Sequence, residues 1–254
     1  MQTSEKRVAL ITGAGKRRVG NVVAEMLAAK GFAVALHYRS SADAARQTVQ
    51  RMRQRGVDAE MFQADVAEEA DVVRMFREVA ARFGRLDALV TAAAVWEPKP
   101  LEQTTADDLR RQFDVNAVGT FLCCREAGLV MVEQPQGGAI VTIGDWAVAR
   151  PYTGYASYLV SKGAIATLTR TLAVELAARN PAVRVNCILP GPVMPPDDLT
   201  PEERRRAIEA TLVRRLGTPE HVGHAVLFLV ENDFVTGACI PVDGGRTIAN
   251  MPSR

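Results

Sequence analysis

The sequence lacks the features that mark metal sites, membrane spans and nucleic-acid surfaces. Its four cysteines have no CxxC spacing and no nearby histidine pair, so no metal site is expected. The 31 basic and 29 acidic residues nearly cancel, whereas nucleic-acid and membrane surfaces need a basic excess. No signal peptide or membrane-spanning apolar run is present, and the cysteine usage fits a reducing compartment. These absences favour a cytoplasmic protein with a small-molecule substrate and no nucleic-acid or membrane partner.

The chain does contain a regular alternation of apolar runs and amphipathic segments. Seven runs are almost continuously apolar, as expected of strands covered on both faces: residues 8–12, 33–37, 60–63, 88–92, 139–143, 184–189 and 239–242. Seven amphipathic segments between them predict helices: residues 20–29, 42–55, 67–83, 105–133, 155–179, 201–214 and 219–230. Adjacent Cys123 and Cys124 fall in one of these helices and are predicted to be small core residues.

The alternation of strands and helices predicts the fold class. Right-handed crossovers at this spacing give a Rossmann-like, doubly wound parallel sheet of seven strands flanked by helices. No linker or repeat interrupts the pattern, so we expect a single α/β domain over residues 1–254 that binds a dinucleotide and carries out catalysis. The stretch 190–200 is rich in proline and poor in periodicity, and residues 190–214 are expected to form a substrate loop or lid.

A glycine-rich turn follows the first predicted strand and leads directly into a helix. Free backbone N–H groups and the positive end of the helix dipole favour an anion there. The spacing departs from GxGxxG, since Arg18 stands where the third glycine is expected and the next glycine is Gly20. A tight loop that needs positive φ is the alternative. The cofactor contacts predicted in this turn are Gly13, Gly15, Arg17, Arg18 and Val19.

The residues after the second predicted strand indicate which dinucleotide binds. An NAD site usually has an acidic residue there for the ribose 2′-hydroxyl, but this chain has the run His37-Tyr38-Arg39-Ser40. Arginine binds phosphate with a planar fork, so this run favours the 2′-phosphate of NADP(H), with Arg17 as a further contact. A solvated arginine at a strand end is the alternative.

An acidic residue and a valine follow the third predicted strand. Asp65 could accept a hydrogen bond from the adenine amino group, with Val66 beside the ring. The equally plausible alternative for Asp65 is a helix cap for the segment that begins at residue 67.

Tyr158 and Lys162 lie four residues apart in a predicted helix and therefore share one face. A phenol is a weak acid with a pKa near 10, and a neighbouring cation favours the phenolate. The pair therefore predicts a proton-transfer site in which Lys162 tunes Tyr158.

These motifs together resemble the short-chain dehydrogenase/reductase family. The resemblance covers almost the full chain and rests on Tyr158-x-x-x-Lys162, Thr12-Gly13, the Asn116-Ala117-Val118-Gly119 run, Pro190-Gly191 and Val242-Asp243-Gly244-Gly245. It implies that Tyr158 is the acid-base and that Lys162 holds the ribose and lowers the tyrosine pKa. It also implies that Asn116 positions a proton-relay water through the lysine, and that Ala93, Pro190 and Gly191 lie along the cofactor.

Three departures from the family pattern are similar to its pteridine reductase branch. Asp145 stands where the family has serine, residues 91–94 replace Asn-Asn-Ala-Gly, and arginines occupy the glycine-rich turn. In that branch an aromatic residue after the fourth strand sandwiches the pterin against the nicotinamide, and Trp96 stands there. The resemblance thus implies substrate contacts at Trp96, Asp145 and Tyr158. A turn residue at 145 and a surface aromatic at 96 are the alternatives.

Three functions remain open at this point. The first is an NADPH-dependent reductase of a pterin-like heterocycle, with Tyr158 as proton donor and Asp145 as a second proton or orienting group. The second is an NADPH-dependent carbonyl reductase acting on a 3-oxoacyl thioester, a sugar or a quinone-like ketone, in which Asp145 only orients or binds the substrate. The third, from another class, is a sensor or scaffold that binds dinucleotide without turnover.

The long predicted helix at residues 155–179 suggests an oligomer. Leu168, Leu172 and Leu176 recur at helical spacing, and more of this helix is apolar than one sheet face should cover. Since family members commonly form tetramers through this helix and the C-terminal strand, the resemblance favours a homotetramer.

Overall fold

All seven strands of the described chain form one parallel sheet. A computed structural model describes residues 6–196 and 198–249. The strands are β1 Val8–Thr12, β2 Ala33–Tyr38, β3 Ala59–Gln63, β4 Ala88–Thr91, β5 Gly138–Ile143, β6 Val183–Pro190 and β7 Cys239–Val242. Their order is β3-β2-β1-β4-β5-β6-β7. The predicted Rossmann-like fold class is confirmed.

The strand order fixes where a ligand crevice opens. The chain runs from β1 outward to β3, then returns to place β4 on the other side of β1, in register from Ala9↔Ala88 to Thr12↔Thr91. In doubly wound sheets the crevice lies beyond the carboxyl ends of the strands at this reversal. The glycine-rich turn after β1 and the segment after β4 both leave the sheet at that point.

Helices cover both faces of the sheet, which explains the continuous burial of the strands. One buried cluster holds side chains of the helices at residues 69–83, 119–132 and 156–177, and another holds side chains of the helices at residues 19–29, 42–54 and 219–231. Cys123 and Cys124 lie in the first cluster, as predicted. The helices are α1 Val19–Ala29, α2 Ala42–Gln54, α3 Glu69–Phe83, α4 Ala106–Phe113, α5 Gly119–Val132, α6 Ala156–Ala177, α7 Pro201–Glu209 and α8 Pro219–Glu231.

The predicted helix at 105–133 is interrupted by a π-helical turn, Asp114–Val118, between α4 and α5. Such turns occur mostly as single insertions, frequently at functional sites. The continuous stretch Ala106–Val132 has the length and apolar composition of a membrane span. However, 61% of its apolar window is buried inside the domain, which identifies it as a core helix of the sheet.

The prediction of a helix through residue 214 is wrong beyond Glu209. The backbone N–H groups of Leu212 and Val213 both donate to the carbonyl of Gly244, and Arg214 has a φ of 52°. These tertiary bonds pull the chain out of helical geometry after α7. Asp197, within the segment predicted to act as a lid, lies outside the described residues, and the lid itself stays a prediction.

Candidate active site

A hydrogen bond joins the two acidic groups that the sequence singled out. The Tyr158 hydroxyl donates to Oδ2 of Asp145 at 2.7 Å. Tyr158 lies in the first turns of α6 and is 6% exposed, while Asp145 follows the carboxyl end of β5 by two residues. In doubly wound sheets the ligand crevice lies beyond the carboxyl ends of the strands, and the pair lies at that edge of the sheet.

Asp145 is both a turn residue and a partner of Tyr158. Its Oδ1 accepts a hydrogen bond from the Ala147 backbone N–H at 2.8 Å and caps the short 3-10 turn Trp146–Val148. Only Oδ2 faces the phenol. The capping bond fixes the orientation of the carboxylate and thereby holds Oδ2 toward the Tyr158 hydroxyl.

The expected lowering of the Tyr158 pKa is not found. Burial raises the pKa of this phenol strongly, and the charge and hydrogen-bond acceptance of Asp145 raise it further. An anion beside a phenol disfavours the phenolate, whereas the prediction considered only the cation of Lys162. In the structure Tyr158 therefore holds its proton firmly.

Lys162 is buried one turn beyond Tyr158 on α6. Its ammonium donates to the carbonyl oxygen of Ile143, the last residue of β5, at 2.8 Å. Burial lowers the pKa of Lys162, while Asp145 and Cys187 oppose that shift. The carbonyl bond anchors the ammonium at the end of the sheet, next to the loop that carries Asp145.

Asn116 lies in the π-helical turn, and its side chain is fully buried. Its Oδ1 accepts from the Val95 N–H at 2.8 Å, and its Nδ2 donates to the Val95 carbonyl at 3.0 Å. Nδ2 also donates to Oγ of Ser161 at 2.9 Å. The amide thus ties the segment after β4 to α6, and the predicted relay role stays a prediction.

Ser161 was not among the predicted site residues. Its hydroxyl accepts from Asn116 and donates to the backbone carbonyl of Tyr158 at 2.6 Å. Little in the sequence indicated this role. Serines that hydrogen-bond to the preceding turn are common in helices, so the position of Ser161 next to Lys162 was its only distinguishing feature.

Four aromatic rings continue from Tyr158 across the mouth of the site. Trp96 stacks on Tyr155 at 4.9 Å and 18°, and Tyr155 meets Tyr158 edge-on at 6.4 Å. Tyr155 also meets Tyr152 at 5.0 Å, and Tyr152 stacks on Trp146 at 6.1 Å. The predicted substrate contact Trp96 is 41% exposed and lies in this wall, whereas Trp146 was missed by the sequence reasoning.

The glycines after β1 are required by close packing. Gly13 has a φ of 66°, and a Cβ there would lie 2.6 Å from Cα of Ala93. A Cβ on Gly15 would meet Oγ of Ser41 and lie 2.8 Å from Cβ of Tyr38, and one on Gly20 would approach the carbonyl of Gly13 at 3.1 Å. Gly20 therefore supplies the close approach that the third glycine of the usual pattern provides.

The N-terminus of α1 is open to an anion. The capping residue Arg18 makes no side-chain cap, and the first turn contains no acidic residue. Arg17 and Arg18 line a cleft of about 530 Å³ between this turn and the segment after β6 that includes Val193 and Met194. These features fit the phosphates of a dinucleotide, and both arginines border the same cleft.

His37 corrects the prediction of a direct phosphate contact. It is 1% exposed, its Nδ1 accepts from the Gly13 N–H at 3.0 Å, and its Nε2 lies 3.0 Å from the Ala64 carbonyl. Burial lowers the pKa of this imidazole, so the neutral ring donates through Nε2. His37 is therefore buried and stabilises the glycine-rich turn through its hydrogen bond with Gly13.

The rest of the predicted 2′-phosphate run is accessible. Arg39 and Ser40 are exposed, and Tyr38 is half-buried beneath Gly15. Arg39 makes only a loose ion pair with Asp65, with Nη1 and Oδ2 at 3.6 Å. Its guanidinium is thus largely free for an anion at the end of β2.

The other predicted cofactor residues surround the same edge. Asp65 accepts from the Ala67 N–H at 3.1 Å, which is the turn role, although α3 begins only at Glu69. Val66 is 5% exposed and packs on Gly119, so little of its surface remains for an adenine ring. Three further predicted contacts border the crevice: Ala93 beside Gly13, Pro190 at the end of β6, and Gly191 against Asp243.

The chain is similar in sequence and structure to known oxidoreductases. A family model described as enoyl-(acyl carrier protein) reductase matches residues 13–247. A short-chain type dehydrogenase/reductase of Picea abies is 36% identical, over 94% of this chain and 92% of that protein. The 3-oxoacyl-[acyl-carrier-protein] reductase of Homo sapiens is 34% identical, over 91% and 94%. A dehydrogenase/reductase structure from Sinorhizobium meliloti 1021 superposes with a TM-score of 0.88 at 33% identity, covering 97% of both chains. The chain belongs to the short-chain dehydrogenase/reductase family.

Proposed function

We propose that this oxidoreductase is an NADPH-dependent reductase of a pterin-like heterocycle. The observation that carries the proposal is the 2.7 Å hydrogen bond from Tyr158 to Asp145 in the crevice at the end of β5. It pairs a proton donor with an acceptor-only group, where the family usually has a serine. The anchored Lys162 one turn away completes the site.

The bound dinucleotide would supply the hydride, since proteins of this family use nicotinamide cofactors. The glycine-rich turn and the open N-terminus of α1 would hold its phosphates, and Lys162 would hold its ribose. The protein would orient the substrate and deliver the proton from the Tyr158 hydroxyl.

The preference for a nitrogen heterocycle follows from hydrogen-bond chemistry. An ionised carboxylate only accepts, so Asp145 cannot donate to a ketone oxygen as a serine hydroxyl can. A ring N–H or amino group would instead donate to Asp145. That contact would offset the negative charge that raises the Tyr158 pKa, so the phenol would release its proton more readily once such a substrate is bound.

The aromatic wall also supports a flat substrate. Trp96 is stacked on Tyr155 through one face and remains 41% exposed. A planar ring could stack on the open face, with a gain of about 1 kcal/mol beyond the burial of apolar area.

The choice of NADPH rests on Arg39, which is exposed and only loosely paired with Asp65. We expect Arg39→Ala to raise the KM for NADPH about tenfold or more, because a charge-assisted contact to the 2′-phosphate is lost. The KM for NADH should stay within about twofold, since NADH carries no such group. An equal rise for both cofactors, or a wild-type preference for NADH, would contradict the assignment.

Carbonyl reduction is the second candidate, supported by the similarity to 3-oxoacyl-[acyl-carrier-protein] reductases. A panel of dihydropterins, folates and small ketones, assayed by NADPH oxidation, separates the two. Turnover of dihydropterins above that of ketones supports the proposal, and turnover of ketones alone supports the second candidate. Tight NADPH binding without oxidation across the panel would favour a sensor or scaffold. Tyr158→Phe is the matched inactive control, since it removes only the hydroxyl.

A further inference from the structure

Two arginines, Arg150 and Arg246, lie together at the far end of the aromatic wall. The guanidinium carbon of Arg246 sits 4.6 Å from the ring centroid of Trp146. Trp146 follows Asp145 directly in the chain and stacks on Tyr152. Consecutive ring contacts through Trp146, Tyr152 and Tyr155 therefore link Arg246 to Tyr158.

In the described part of the chain, both arginines are held by backbone carbonyls and not by carboxylates. Arg150 Nη1 donates to the backbone carbonyl of Arg246 at 3.2 Å and also to that of Ala249, and Arg246 Nη1 donates to the carbonyl of Ala207 at 3.2 Å. Within residues 6–196 and 198–249, no carboxylate forms an ion pair with either guanidinium. Charged groups that lose solvent are normally paired, so two unpaired and adjacent guanidiniums are unusual.

The acidic side chain of Asp243, whose charge acts on Arg246, is hydrogen-bonded within its own turn. Oδ1 of Asp243 accepts from the Gly245 N–H at 2.9 Å. Its Oδ2 accepts from the backbone N–H of Thr247 at 2.7 Å and from the hydroxyl at 2.6 Å. Asp243 thus shapes the turn that carries Arg246 and makes no ion pair with its guanidinium. Burial lowers the pKa of Arg246 and Arg150 adds to that shift, with Tyr152 and Asp243 opposing it.

We infer that Arg246, held on Trp146 and reinforced by Arg150, is a binding site for a carboxylate or similar anion on the substrate. The site rests on the proposed function in that its ligand is the distal end of a molecule whose reacting ring lies at Tyr158. An anion there gains charge-assisted hydrogen bonds from the guanidinium edge and relieves the repulsion between the two arginines. The substrate class is thereby narrowed to flat molecules with an acidic group away from the reacting ring.

Intrinsic fluorescence gives a test that needs no turnover. The chain has only two tryptophans, Trp96 and Trp146, and both belong to the aromatic wall. Quenching of their emission by benzoate is compared with quenching by benzamide, with NADP+ present and again without it. We expect benzoate to bind the wild-type protein about tenfold more tightly than benzamide, because only benzoate carries the charge. Raising the salt concentration to about 0.5 M should weaken benzoate binding alone.

Two substitutions complete the test. Arg246→Met should abolish the preference for benzoate, and Arg246→Lys should keep part of it, since the charge remains without the planar fork. Arg77→Met, an exposed arginine on α3, is the matched control and should leave the preference unchanged. Equal binding of the two probes to the wild-type protein, no quenching by either, or a preference that survives in Arg246→Met would overturn the inference. If Arg246→Met does not fold, the inference is tested by the salt dependence of benzoate binding to the wild-type protein and by the benzoate preference of Arg246→Lys.

This outcome is separable from that of the reductase proposal. Loss of the benzoate preference leaves NADPH oxidation with uncharged substrates untouched, and an inactive substrate panel leaves the fluorescence titration unaffected.

Discussion

Asp145 is the charged side chain that is hydrogen-bonded to the family tyrosine, Tyr158. A serine hydroxyl at this position could donate to the substrate, but the carboxylate accepts from Tyr158 and raises the pKa of the phenol. The same charge gives the site an acceptor that suits N–H groups. Under the proposed function, Asp145 would lower the reactivity toward ketones and favour substrates that can donate a hydrogen bond.

A pH profile tests this role. Reduction needs the protonated phenol, so the rate falls as pH rises through the Tyr158 pKa. Asp145→Asn removes the negative charge and thereby lowers that pKa, although burial still raises it. We expect the alkaline limb of kcat/KM to move to lower pH in Asp145→Asn. Asp107→Asn, at an exposed position in the first turn of α4, should not move it. A limb that stays in place, or moves upward, would refute the role of the carboxylate.

The sequence predicted which residues form the candidate site better than it predicted their burial and contacts. The spacing of Tyr158 and Lys162 on one helix face, and the position of Asp145 after β5, followed from periodicity and the location of ligand crevices. The burial of His37 did not, because it depends on Gly13 and Ala64 approaching from distant parts of the chain. The raised pKa of Tyr158 likewise depends on a tertiary contact.

At the level of elements, the π-helical turn and the segment after β4 act as one unit. The turn directs Asn116 inward, where its amide holds both backbone groups of Val95, the neighbour of Trp96. Its bond to Ser161 extends the unit to α6. The position of the aromatic wall is thus coupled to α6, the helix that carries Tyr158.

Unfolding measurements test that coupling. Asn116→Ala removes three hydrogen bonds, two with the backbone of Val95 and one with the Ser161 hydroxyl, and should lower the free energy of unfolding by about 3 kcal/mol. Asn232→Ala, which loses one exposed bond to Phe234, is the control and should cost about 1 kcal/mol or less. Urea denaturation gives both values. A loss in Asn116→Ala no larger than in the control would show that the unit is not held by this amide.

Sequence patterns located the elements but not their irregular ends. Apolar runs and helical spacing gave all seven strands and the region of each helix, since those patterns report burial on two faces. The π-helical turn was missed, because one inserted residue leaves the apolar pattern almost unchanged. The end of α7 at Glu209 was missed because it is set by bonds to Gly244.

At the scale of the whole molecule, the leucines that suggested a subunit interface have another role. Leu172 and Leu176 are buried in the domain's own core, and Leu168 packs against it. The face of α6 that remains exposed carries Val160 and Val174, and the neighbouring α5 exposes Phe121 and Leu129. We propose that this face of α5 and α6 forms the contact of a homo-oligomer, with a tetramer favoured.

Light scattering with size-exclusion chromatography tests the oligomer. Val174 is 71% exposed on α6, and Val174→Arg should dissociate the assembly by placing a charge in an apolar contact. Leu101→Arg, at a 74% exposed position on a short 3-10 turn, should leave it intact. A monomeric wild-type protein, or a Val174→Arg variant of unchanged mass, would contradict the proposed face.

The most direct test of the Tyr158–Asp145 chemistry is the kcat/KM of wild-type protein and Asp145→Ser for one dihydropterin and one simple ketone, all with NADPH. Serine restores a hydroxyl donor for a ketone oxygen and removes the acceptor for a ring N–H. We predict that the substitution lowers the dihydropterin value about a hundredfold, as for loss of a charged hydrogen-bond partner, and keeps or raises the ketone value. Unchanged dihydropterin turnover in Asp145→Ser would contradict the role assigned to the carboxylate.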